Sequence, residues 1–482
     1  MFETMNRIIY VILLLPVFPA FTQEKSRAEQ INQAVFNKIE YHFNLQETDS
    51  IYALAGPRFK QSLSLQAFQT VMAQQLYPLG QIQSAELKSF DKGTGIYKLN
   101  FLSTPLQVVL GLDSLNRVET FLFQPYAGDP VPEKKEVRSS NSATSSKLDF
   151  YIDSIALAYS RKGNTHALAI GVVHEGKTSS YYYGETEKGN KGLPDENTLF
   201  EIGSITKTFT ATLLAYLAQT QQLSLDDPIT NFLPDSVAAN PHLRSITLQQ
   251  LANHTSGLPR MPENIDATAA AHPLDPYKDY TQADLYGYLA SYEAATPPDS
   301  IYLYSNLGYG LLGDILSTVY GKPYHEMVTE IICEPLGLKN TTEFPNPDSQ
   351  YVAKVYNKDG QETPVWTFDA FAAHGSLKSS VKDLLNYAKA HFKMPETDLE
   401  HALARTRQFT YFNPPDTDIG LAWHMNLMGD ELIYWHNGTT FGSSSYLAFS
   451  PDRKMAVVVL SNTAEPVDSL GVSILNSILA VD

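Results

Sequence analysis

Residues 127–147 divide this chain into two parts, because they contain almost no side chain that a folded core could bury. The segment is rich in Ser, Lys, Glu and Pro, a composition typical of linkers. A chain of 482 residues is also too long for one ordinary domain and long enough to bury at least one large core. The sequence therefore predicts two domains, residues 24–126 and 148–482, joined by this linker.

Residues 1–23 have the layout of a secretory signal peptide. Arg7 precedes a short apolar run at residues 8–15, and Pro16, Pro19 and Ala20 follow it. The run is too short to span a membrane, and no later apolar stretch reaches the roughly 18 residues that a spanning helix needs. No cysteine follows the run, which argues against a lipoprotein anchor. We expect a secreted or periplasmic protein with no membrane span after removal of the signal.

The charge and the cysteine content argue against several classes of function. A formal net charge of −17 and an isoelectric point near 5.1 argue against a nucleic-acid partner, because phosphates require a basic surface. The single cysteine, Cys333, allows no internal disulfide and no cysteine-based zinc or iron–sulfur site. Its apolar neighbours predict a buried side chain. The oligomeric state stays open.

The first predicted domain changes from helical to strand-like patterning. One helix is predicted by an apolar stripe, and a second helix begins at Ser64. The stripe consists of Ile31, Val35, Ile39, His42 and Phe43. Strand-like runs follow at residues 96–102, 107–111 and 118–123. This pattern predicts a small α+β domain, which resembles the cone-shaped domains related to nuclear transport factor 2. It contains no catalytic constellation, and we expect His42 to be a packing residue rather than a ligand.

The stretch around Ser204 contains the first candidates for chemistry. Gly203 and Ser204 precede a helical pattern of apolar residues, so Ser204 is predicted to start a helix that points into a core. Lys207 follows three residues later, on the same helical face and within reach of the serine hydroxyl. A lysine made less basic by burial can accept the proton of a serine. Taken alone, however, the pair also fits a helix cap followed by a surface charge.

Two further motifs occur downstream in the second domain. Tyr304 and Asn306 form a Tyr-x-Asn motif that leads into a predicted helix ending near Tyr320. His436 and Gly438 form a His-x-Gly motif between predicted strands near the C-terminus. The same domain has a predicted helix at residues 148–159 and predicted strands at residues 166–175, 178–183, 446–449 and 455–460.

The order of these motifs, Ser-x-x-Lys, Tyr-x-Asn and His-x-Gly, resembles the serine β-lactamase and penicillin-binding-protein superfamily. The resemblance is to the branch that contains class C β-lactamases, DD-peptidases, D-aminopeptidases and esterases, and it covers residues 148–482. It implies an α/β (α+β) β-lactamase/transpeptidase-like domain, with an antiparallel sheet flanked by helices and an all-helical subdomain. Further segments that fit the superfamily are residues 225–228, 246–251, 254–259, 334–338 and 375–379.

The resemblance implies catalytic roles for Ser204, Lys207 and Tyr304. Ser204 would attack a carbonyl carbon and form an acyl-enzyme. Lys207 and Tyr304 would share the proton, with the phenol acting as a base or an acid only if a nearby ammonium group holds its pKa well below about 10.

The resemblance also implies how the substrate is bound. Asn306 would bind the substrate amide, with its own orientation fixed by Lys207. The backbone N–H groups of Ser204 and Thr439 would stabilise the oxyanion. Gly438 would allow the substrate to lie against the strand as an added edge.

His436 departs from the commonest pattern of the superfamily, in which many members have lysine or arginine. A histidine is mostly neutral at pH 7 and is therefore a weaker partner for a substrate carboxylate. This puts efficient turnover of β-lactams in doubt, whereas peptide substrates stay possible, because some DD-peptidases and D-aminopeptidases of the superfamily resemble this chain here. The alternative interpretation is a strand residue that covers the sheet edge.

Other motifs predict no cofactor and no metal. The glycines of residues 308–313 match a dinucleotide-binding pattern, but they lie inside a predicted helix without a βαβ unit around them. His325-Glu326 lacks the second histidine of a zinc protease, and residues 415–420 are too short for a calcium loop. We expect His254 to hold a loop in place.

The sequence thus predicts a secreted serine hydrolase that acts through an acyl-enzyme on Ser204. The expected substrate is a small molecule or a peptide, and the expected activity is that of a peptidase or amidase of the DD-peptidase or D-aminopeptidase type, or of an esterase. One alternative is a class C-type β-lactamase. Another is a non-catalytic protein that binds wall peptides or glycans.

Overall fold

The computed structural model describes residues 26–82, 84–101, 105–126, 136–140, 146–413 and 417–481. The predicted signal peptide lies outside the described residues, and so do residues 127–135 and 141–145 of the predicted linker. The chain divides into two units, Met1–Pro130 and Val131–Asp482. Each unit has its own hydrophobic core.

The N-terminal unit is an α+β domain in which helices precede a four-stranded antiparallel sheet. Its helices are α1 Arg27–Asn44, α2 Thr48–Ala53, α3 Pro57–Ser62 and α4 Leu65–Val71. Its strands are β1 Ser84–Asp91, β2 Thr94–Asn100, β3 Pro105–Leu112 and β4 Val118–Pro125. The strands pair in chain order as a meander. The three predicted strands correspond to β2, β3 and β4, whereas β1 was missed because most of its residues are polar and none is fully buried.

Helix α1 packs on the sheet through a stripe that is rotated slightly from the predicted one. Its buried residues are Asn32, Phe36, Ile39 and Phe43. The ring of Phe36 stacks on Tyr97 of β2, with a centroid distance of 3.9 Å. His42 lies at the edge of this stripe, partly exposed, with its Nδ1 2.7 Å from a carboxylate oxygen of Glu47. It is therefore paired with an acid rather than packed in the core.

The C-terminal unit is built around an eight-stranded antiparallel sheet with the order β11-β12-β13-β14-β15-β16-β5-β6. Its strands are β5 Leu168–His174, β6 Lys177–Tyr183, β7 Phe200–Glu201, β8 Val355–Tyr356, β9 Glu362–Thr363, β10 Lys378–Ser379, β11 Tyr411–Asn413, β12 Thr417–Ile419, β13 His424–Met428, β14 Glu431–Thr439, β15 Ser444–Ser450 and β16 Met455–Ser461. Its helices are α5 Lys147–Ser160, α6 Thr206–Gln219, α7 Asp235–Ala238, α8 Leu248–Ala252, α9 Asp266–Ala271, α10 Gln282–Ala290, α11 Asn306–Tyr320, α12 Tyr324–Met327, α13 Glu334–Leu336, α14 Ala372–Gly375, α15 Val381–Ala390, α16 Asp398–Thr406 and α17 Asp468–Val481.

Helices cover both faces of this sheet, and β16 shows how one strand contributes to two cores. Ala456, Val458 and Leu460 belong to the core that includes α6 and α15. Val457 and Val459 belong to the core that includes α5 and α17. Because successive side chains of a strand point to opposite faces, a strand buried on both faces must be apolar throughout. This accounts for the uninterrupted apolar run that the sequence analysis assigned to a strand.

The segment between β7 and β8, which is fully described, contains helices α6–α13 and no strand. It forms the all-helical part that the resemblance implied. Cys333 lies there, buried and without a disulfide partner, as expected from its neighbours. None of the described helices is both long enough and apolar enough to cross a membrane.

The short strands β7 and β10 form a separate antiparallel pair in which Phe200 lies opposite Ser379 and Glu201 lies opposite Lys378. The chain leaves β7 through a short turn and enters α6. This turn contains the serine of the first motif.

Candidate active site

Ser204 lies in a short 3-10 helix, Gly203–Ile205, between β7 and α6. The α-helix proper begins two residues after the predicted start, at Thr206, with Ile205 as its N-cap. In this fully described region no side chain caps either helix. The interpretation of Ser204 as a helix cap is therefore wrong, and its hydroxyl is available for another partner.

Lys207 supplies that partner. Its Nζ lies 3.0 Å from Oγ of Ser204 and donates a hydrogen bond of 2.8 Å to the backbone oxygen of His374. The side chain is fully buried, which rules out the alternative of a surface charge. Burial, with a smaller contribution from the charge of Arg260, holds the pKa of Lys207 well below its ordinary value. The amine is thus suited to accept a proton from Ser204.

Tyr304 lies beside the same pair, with its ring centroid 4.9 Å from Nζ of Lys207. Burial raises the pKa of Tyr304 to about 12, although its hydrogen bond with Ser204 and the charge of Arg260 act in the opposite direction. The phenol is therefore protonated near neutral pH. The condition for the phenol to act as a base, a pKa lowered by a neighbouring ammonium group, is therefore not met, and the pKa of the Lys207 amine is the one that is lowered.

Asn306 is the first residue of α11 and is almost completely buried. Its Nδ2 contacts the sulfur of Met261 at 3.5 Å. Its Oδ1 is buried and has no hydrogen-bond partner among the described residues. The expected contact with Lys207 is absent from the hydrogen bonds of the described chain, because Lys207 donates to His374 instead. Asn306 therefore presents an unpaired acceptor.

The segment at residues 254–260 fixes the Tyr-x-Asn motif in place. The backbone oxygen of His254 accepts from Leu303 N at 2.7 Å, and its Nδ1 accepts from Ser305 N at 3.1 Å. The backbone oxygen of Arg260 accepts from Asn306 N at 2.9 Å. His254 thus holds this loop, as expected. Arg260 follows directly after the segment that fitted the superfamily, but the sequence analysis gave it no role.

Strand β14 brings its end against the turn that contains Ser204. A Cβ on Gly438 would lie 2.0 Å from the backbone oxygen of Ile202 and 2.9 Å from Ser204 N. Gly203 has a φ of +48°, and a Cβ there would lie 2.9 Å from Thr439 N. Both glycines are required by this close approach. This contact is a reason for glycine at position 438 in addition to the predicted access of the substrate to the strand.

His436 is fully buried on β14, with its ring centroid 6.5 Å from that of Tyr304. Its Nδ1 lies 2.6 Å from the backbone oxygen of Asn437 and must carry the proton, because a carbonyl can only accept. Burial is the main reason that the pKa of His436 lies well below its ordinary value. The Nε2 atom is therefore a neutral acceptor, and it has no partner among the described residues. The alternative of a residue that merely covers the sheet edge does not fit this position.

Glu201 is a residue next to the site to which the sequence analysis gave no role. Its carboxylate accepts from Trp366 N and from the hydroxyl of Thr440, both at 2.7 Å. Burial raises the pKa of Glu201. Glu201 is the last residue of β7, directly before the serine turn, and its hydrogen bond with Thr440 connects this strand to the residue after Thr439. The sequence did contain a signal that could have identified Glu201, because it is a charged residue directly before a motif predicted to be buried.

The dinucleotide-like glycine pattern that the sequence analysis set aside has a structural explanation. The glycines of residues 308–313 lie in α11, where a Cβ on Gly313 would lie 2.2 Å from Cβ of Ala373 and one on Gly310 would lie 2.8 Å from the ring of Phe371. They permit close helix packing, as predicted. Within the described part of the chain, no group of His, Cys, Asp and Glu side chains is arranged to hold a metal ion.

The structure therefore brings Ser204, Lys207 and Tyr304 into direct proximity and places His436 beside Tyr304. Gly438 and Thr439 contact the turn on one side. Asn306 lies on the same segment as Tyr304. The motifs are separated by about 100 residues in the chain and converge at one place.

Comparison with known proteins gives a consistent result. The family model described as Beta-lactamase matches residues 152–477. A relative named D-alanyl-D-alanine-carboxypeptidase/endopeptidase AmpH, from Escherichia coli strain K12, is 33% identical over 328 residues, which cover 65% of this chain and 82% of that protein. A protein of Pseudomonas fluorescens named Beta-lactamase is 28% identical over 351 residues, which cover 65% of this chain and 93% of that protein.

Solved structures agree with the described fold. A class C beta-lactamase has a TM-score of 0.62 and 25% identity, and the match covers 70% of this chain and 98% of that one. A beta-lactamase/D-alanine carboxypeptidase from Pseudomonas syringae has a TM-score of 0.61 and 25% identity, with 70% and 99% of the two chains covered. The antiparallel sheet with its flanking helices is thus a fold that this chain shares with these solved structures.

Proposed function

Because this chain belongs to the beta-lactamase family of serine hydrolases, we propose that it hydrolyses amide bonds of D-amino-acid peptides through an acyl-enzyme on Ser204. The observation that carries this proposal is the fully buried amine of Lys207, 3.0 Å from Oγ of Ser204 and without a carboxylate partner among the described residues. Burial disfavours the charged form of this amine and lowers its pKa, so that it can accept the proton of the hydroxyl.

In the first step, Lys207 takes the proton from Ser204 as Oγ attacks the carbonyl carbon. The backbone N–H groups of Ser204 and Thr439 flank the same turn and would stabilise the oxyanion that forms. Tyr304, which is protonated, would pass a proton to the leaving amine and regain one from Lys207. The amide bond breaks, and the acyl group stays on Ser204.

In the second step, water replaces the leaving amine. Lys207 would take its proton as the water oxygen attacks the acyl carbon and would pass that proton to Oγ of Ser204, which leaves as an alcohol. Esters with the same acyl group would react by the same route. The reaction needs no cofactor.

The neutral state of His436 favours a peptide whose leaving group has no free carboxylate over a β-lactam, which has one. The carboxylate of a β-lactam gains no ionic partner from a buried histidine that presents a bare acceptor nitrogen. An N–H group of a peptide would fit that acceptor, and the Oδ1 atom of Asn306 offers a second one. The name of the Escherichia coli relative, a carboxypeptidase and endopeptidase, supports this choice.

A covalent probe tests the nucleophile directly. We expect a fluorophosphonate to add its mass to the purified protein and to add nothing to Ser204→Ala. Equal labelling of both proteins would disprove the assignment. Comparison of kcat/KM for an acyl-D-alanyl-D-alanine amide, which has no free carboxylate, and for penicillin G then tests the substrate class, and faster hydrolysis of penicillin G would make the chain a β-lactamase instead.

We further propose that the protein acts outside the cytoplasm, since the layout of residues 1–23 is that of a signal peptide. Mass spectrometry of the protein recovered from a secretion-competent bacterial host tests this, and the expected mass is that of a chain without the signal peptide. A mature protein that retains residues 1–23 would contradict this part.

A further inference from the structure

Arg260 is an exposed cation beside the candidate active site with no acidic partner in the described structure. Other arginines of the chain do have such partners. Arg58 pairs with Glu119, Arg117 with Asp113 and Arg453 with Glu431. The exposed Arg244 likewise has no carboxylate partner among the described ion pairs, so what distinguishes Arg260 is its position beside the site.

The guanidinium carbon of Arg260 lies 5.1 Å from the ring centroid of Tyr304. The Nζ of Lys207 lies 4.9 Å from the same centroid. The two cationic groups therefore contact one ring, and Arg260 lies within electrostatic reach of the reacting atoms. Its charge contributes to the lowered pKa of Lys207 and opposes the increase in the pKa of Tyr304.

The backbone of Arg260 is fixed even though its side chain is exposed. Its carbonyl oxygen accepts from the backbone nitrogens of Asn306 and Leu307, at 2.9 and 3.2 Å. The hydroxyl of Ser305 donates to the carbonyl of the preceding residue, Pro259, at 2.7 Å. The backbone of Arg260 is thus attached to the start of α11, so that only its side chain has to adapt to a ligand.

This attachment places Arg260 on the Asn306 side of the site, whereas His436 and Gly438 form the side made by β14. The buried imidazole of His436 is neutral, so the β14 side offers no charge at that position. Asn306 is the residue that would bind the amide of the acyl donor in the proposed reaction. An anion that reaches Arg260 would therefore belong to the acyl donor and not to the leaving group.

We propose that Arg260 is a specificity-determining residue that binds a carboxylate on the acyl-donor part of the substrate. Arginine suits this task, because its planar group can form two parallel hydrogen bonds with a carboxylate. The substrates favoured are peptides whose acyl donor has an acidic group close to the scissile amide. Substrates with a free amine at that place, as in an aminopeptidase reaction, would be repelled. This inference rests on the proposed function, in particular on the role given to Asn306.

Two matched pairs of chromogenic substrates separate the two sides of the site. The first pair, succinyl-D-alanine 4-nitroanilide and its succinamyl counterpart, differs by one carboxylate on the acyl donor. The second pair, acetyl-D-alanine 4-nitroanilide and 3-carboxy-4-nitroanilide, differs by one carboxylate on the leaving group. For each enzyme the readout is the ratio of kcat/KM within a pair, so that a general loss of activity cancels.

We expect the wild type to favour the succinyl over the succinamyl substrate by about 5- to 10-fold, mostly through KM. In Arg260→Gln this ratio should fall to about 1, and Arg260→Lys should restore part of it. The exposed Arg244→Gln, which removes the same charge elsewhere, should leave the ratio as in the wild type. The preference should also weaken at high salt, because exposed charges are screened.

An unchanged succinyl preference in Arg260→Gln would overturn the inference, and a change confined to the leaving-group pair would assign Arg260 to the opposite side. If the wild type hydrolyses none of the four compounds, the proposed reaction is at fault. Calorimetric titration of wild type and Arg260→Gln with succinyl-D-alanine and succinamyl-D-alanine then still decides on Arg260, since the same preference in both proteins would exclude its role.

Discussion

Two buried asparagines, one in each unit, show how structural and functional polar groups differ. Asn32 in the N-terminal unit accepts from the hydroxyl of Tyr97 at 2.6 Å and donates to the backbone oxygens of Gly93 and Leu110, at 3.2 and 3.0 Å. Asn306 in the C-terminal unit is almost as buried, yet its Oδ1 has no partner in the described structure. A paired buried group stabilises a fold, whereas an unpaired one costs free energy that only a ligand can recover.

The same contrast extends to the groups around Asn306. Lys207 is a buried amine without a carboxylate partner, and Nε2 of both His254 and His436 is buried without a described partner. Buried polar atoms without a described partner occur elsewhere in the chain as well, but these groups lie where the three motifs converge. The C-terminal unit therefore retains an energetic cost at the place where we propose that it reacts, which is typical of sites that need preorganised chemistry.

The largest effect should come from removal of the buried amine. We expect Lys207→Met to lower kcat/KM for an amide or ester substrate by about 10³- to 10⁴-fold, since the serine loses its base. Stability at pH 7 should rise by about 1 kcal/mol, because an unpaired buried amine is replaced by an apolar chain. Activity assays and thermal unfolding measure the two effects. A clear loss of stability would show that Lys207 is a structural residue like Asn32.

The next largest effect concerns the contact between β14 and the serine turn. In Gly438→Ala the new methyl group would lie 2.0 Å from the backbone oxygen of Ile202, so the strand must move away from Ser204. We expect at least about 10²-fold lower kcat/KM. Gly287→Ala in α10 is the matched control, because a Cβ there meets no atom within 4 Å and alanine favours a helix. Wild-type kinetics in Gly438→Ala would contradict the described approach.

Asn32→Ala tests the structural half of the comparison. The hydroxyl of Tyr97 and two backbone carbonyls lose their partner in a fully buried place. We expect the free energy of unfolding of the N-terminal unit to fall by about 2–4 kcal/mol, with unchanged kcat/KM per folded molecule. Chemical denaturation followed by tyrosine fluorescence provides the measurement. A loss of activity without a loss of stability would reverse the roles assigned to the two asparagines.

Asn306→Ala should affect activity rather than stability, which is the opposite of the result expected for Asn32→Ala. Its Oδ1 has no described partner to lose, so we expect the unfolding temperature to change little. We expect kcat/KM to fall by about 10- to 30-fold, because a hydrogen bond to the substrate is removed. Destabilisation comparable to that of Asn32→Ala would indicate that Asn306 is a structural residue.

The smallest expected effect is a pH dependence. Burial lowers the pKa of Lys207 in the folded protein, and the reaction needs the neutral amine. The value of kcat/KM should therefore rise about tenfold per pH unit below that pKa and reach a plateau above it. Tyr304, whose pKa is raised to about 12, stays protonated throughout this range. A rate that falls as the pH rises from acid to neutral would exclude Lys207 as the base.

The same shift affects stability, with a defined sign. The unfolded lysine binds a proton below a pKa of about 10.4, whereas the folded one does so only at lower pH. Between these two values the unfolded chain binds more protons, so stability rises with pH. Lys207→Met should lack this component, which comparison of the unfolding free energies of the two proteins at pH 7 and 9 would show.

Local patterns accounted for much of the fold. The apolar run of β16, the stripe of α1 and the strands β2–β4 follow from the spacing of apolar residues, because burial on one or two faces imposes that spacing. Strand β1 was missed, since a strand that is only partly buried does not need an apolar pattern. The start of α6 was misplaced by two residues because no cap residue marks it.

The roles at the site were less accessible from sequence. The spacing of Ser204 and Lys207 predicted their contact correctly, since an i, i+3 pair shares a helical face. The neutral His436 was expected from the ordinary pKa of histidine, but the raised pKa of Tyr304 was beyond such patterns, because it depends on burial and on charges from distant segments. The contribution of Arg260 was equally hidden, since its approach to Tyr304 depends on how the loop packs on α11.

The sequence by itself determined that this chain has a serine with a lysine one helical turn away and the further motifs of its family. These are local facts, fixed by residue type and spacing. Only the tertiary structure decided that Lys207 is buried with no acid beside it among the described residues, that Oδ1 of Asn306 has no partner there either, and that Gly438 is required by the serine turn itself. The physical reason is that desolvation and hydrogen-bond pairing are properties of the surroundings, which residues far apart in the chain provide together.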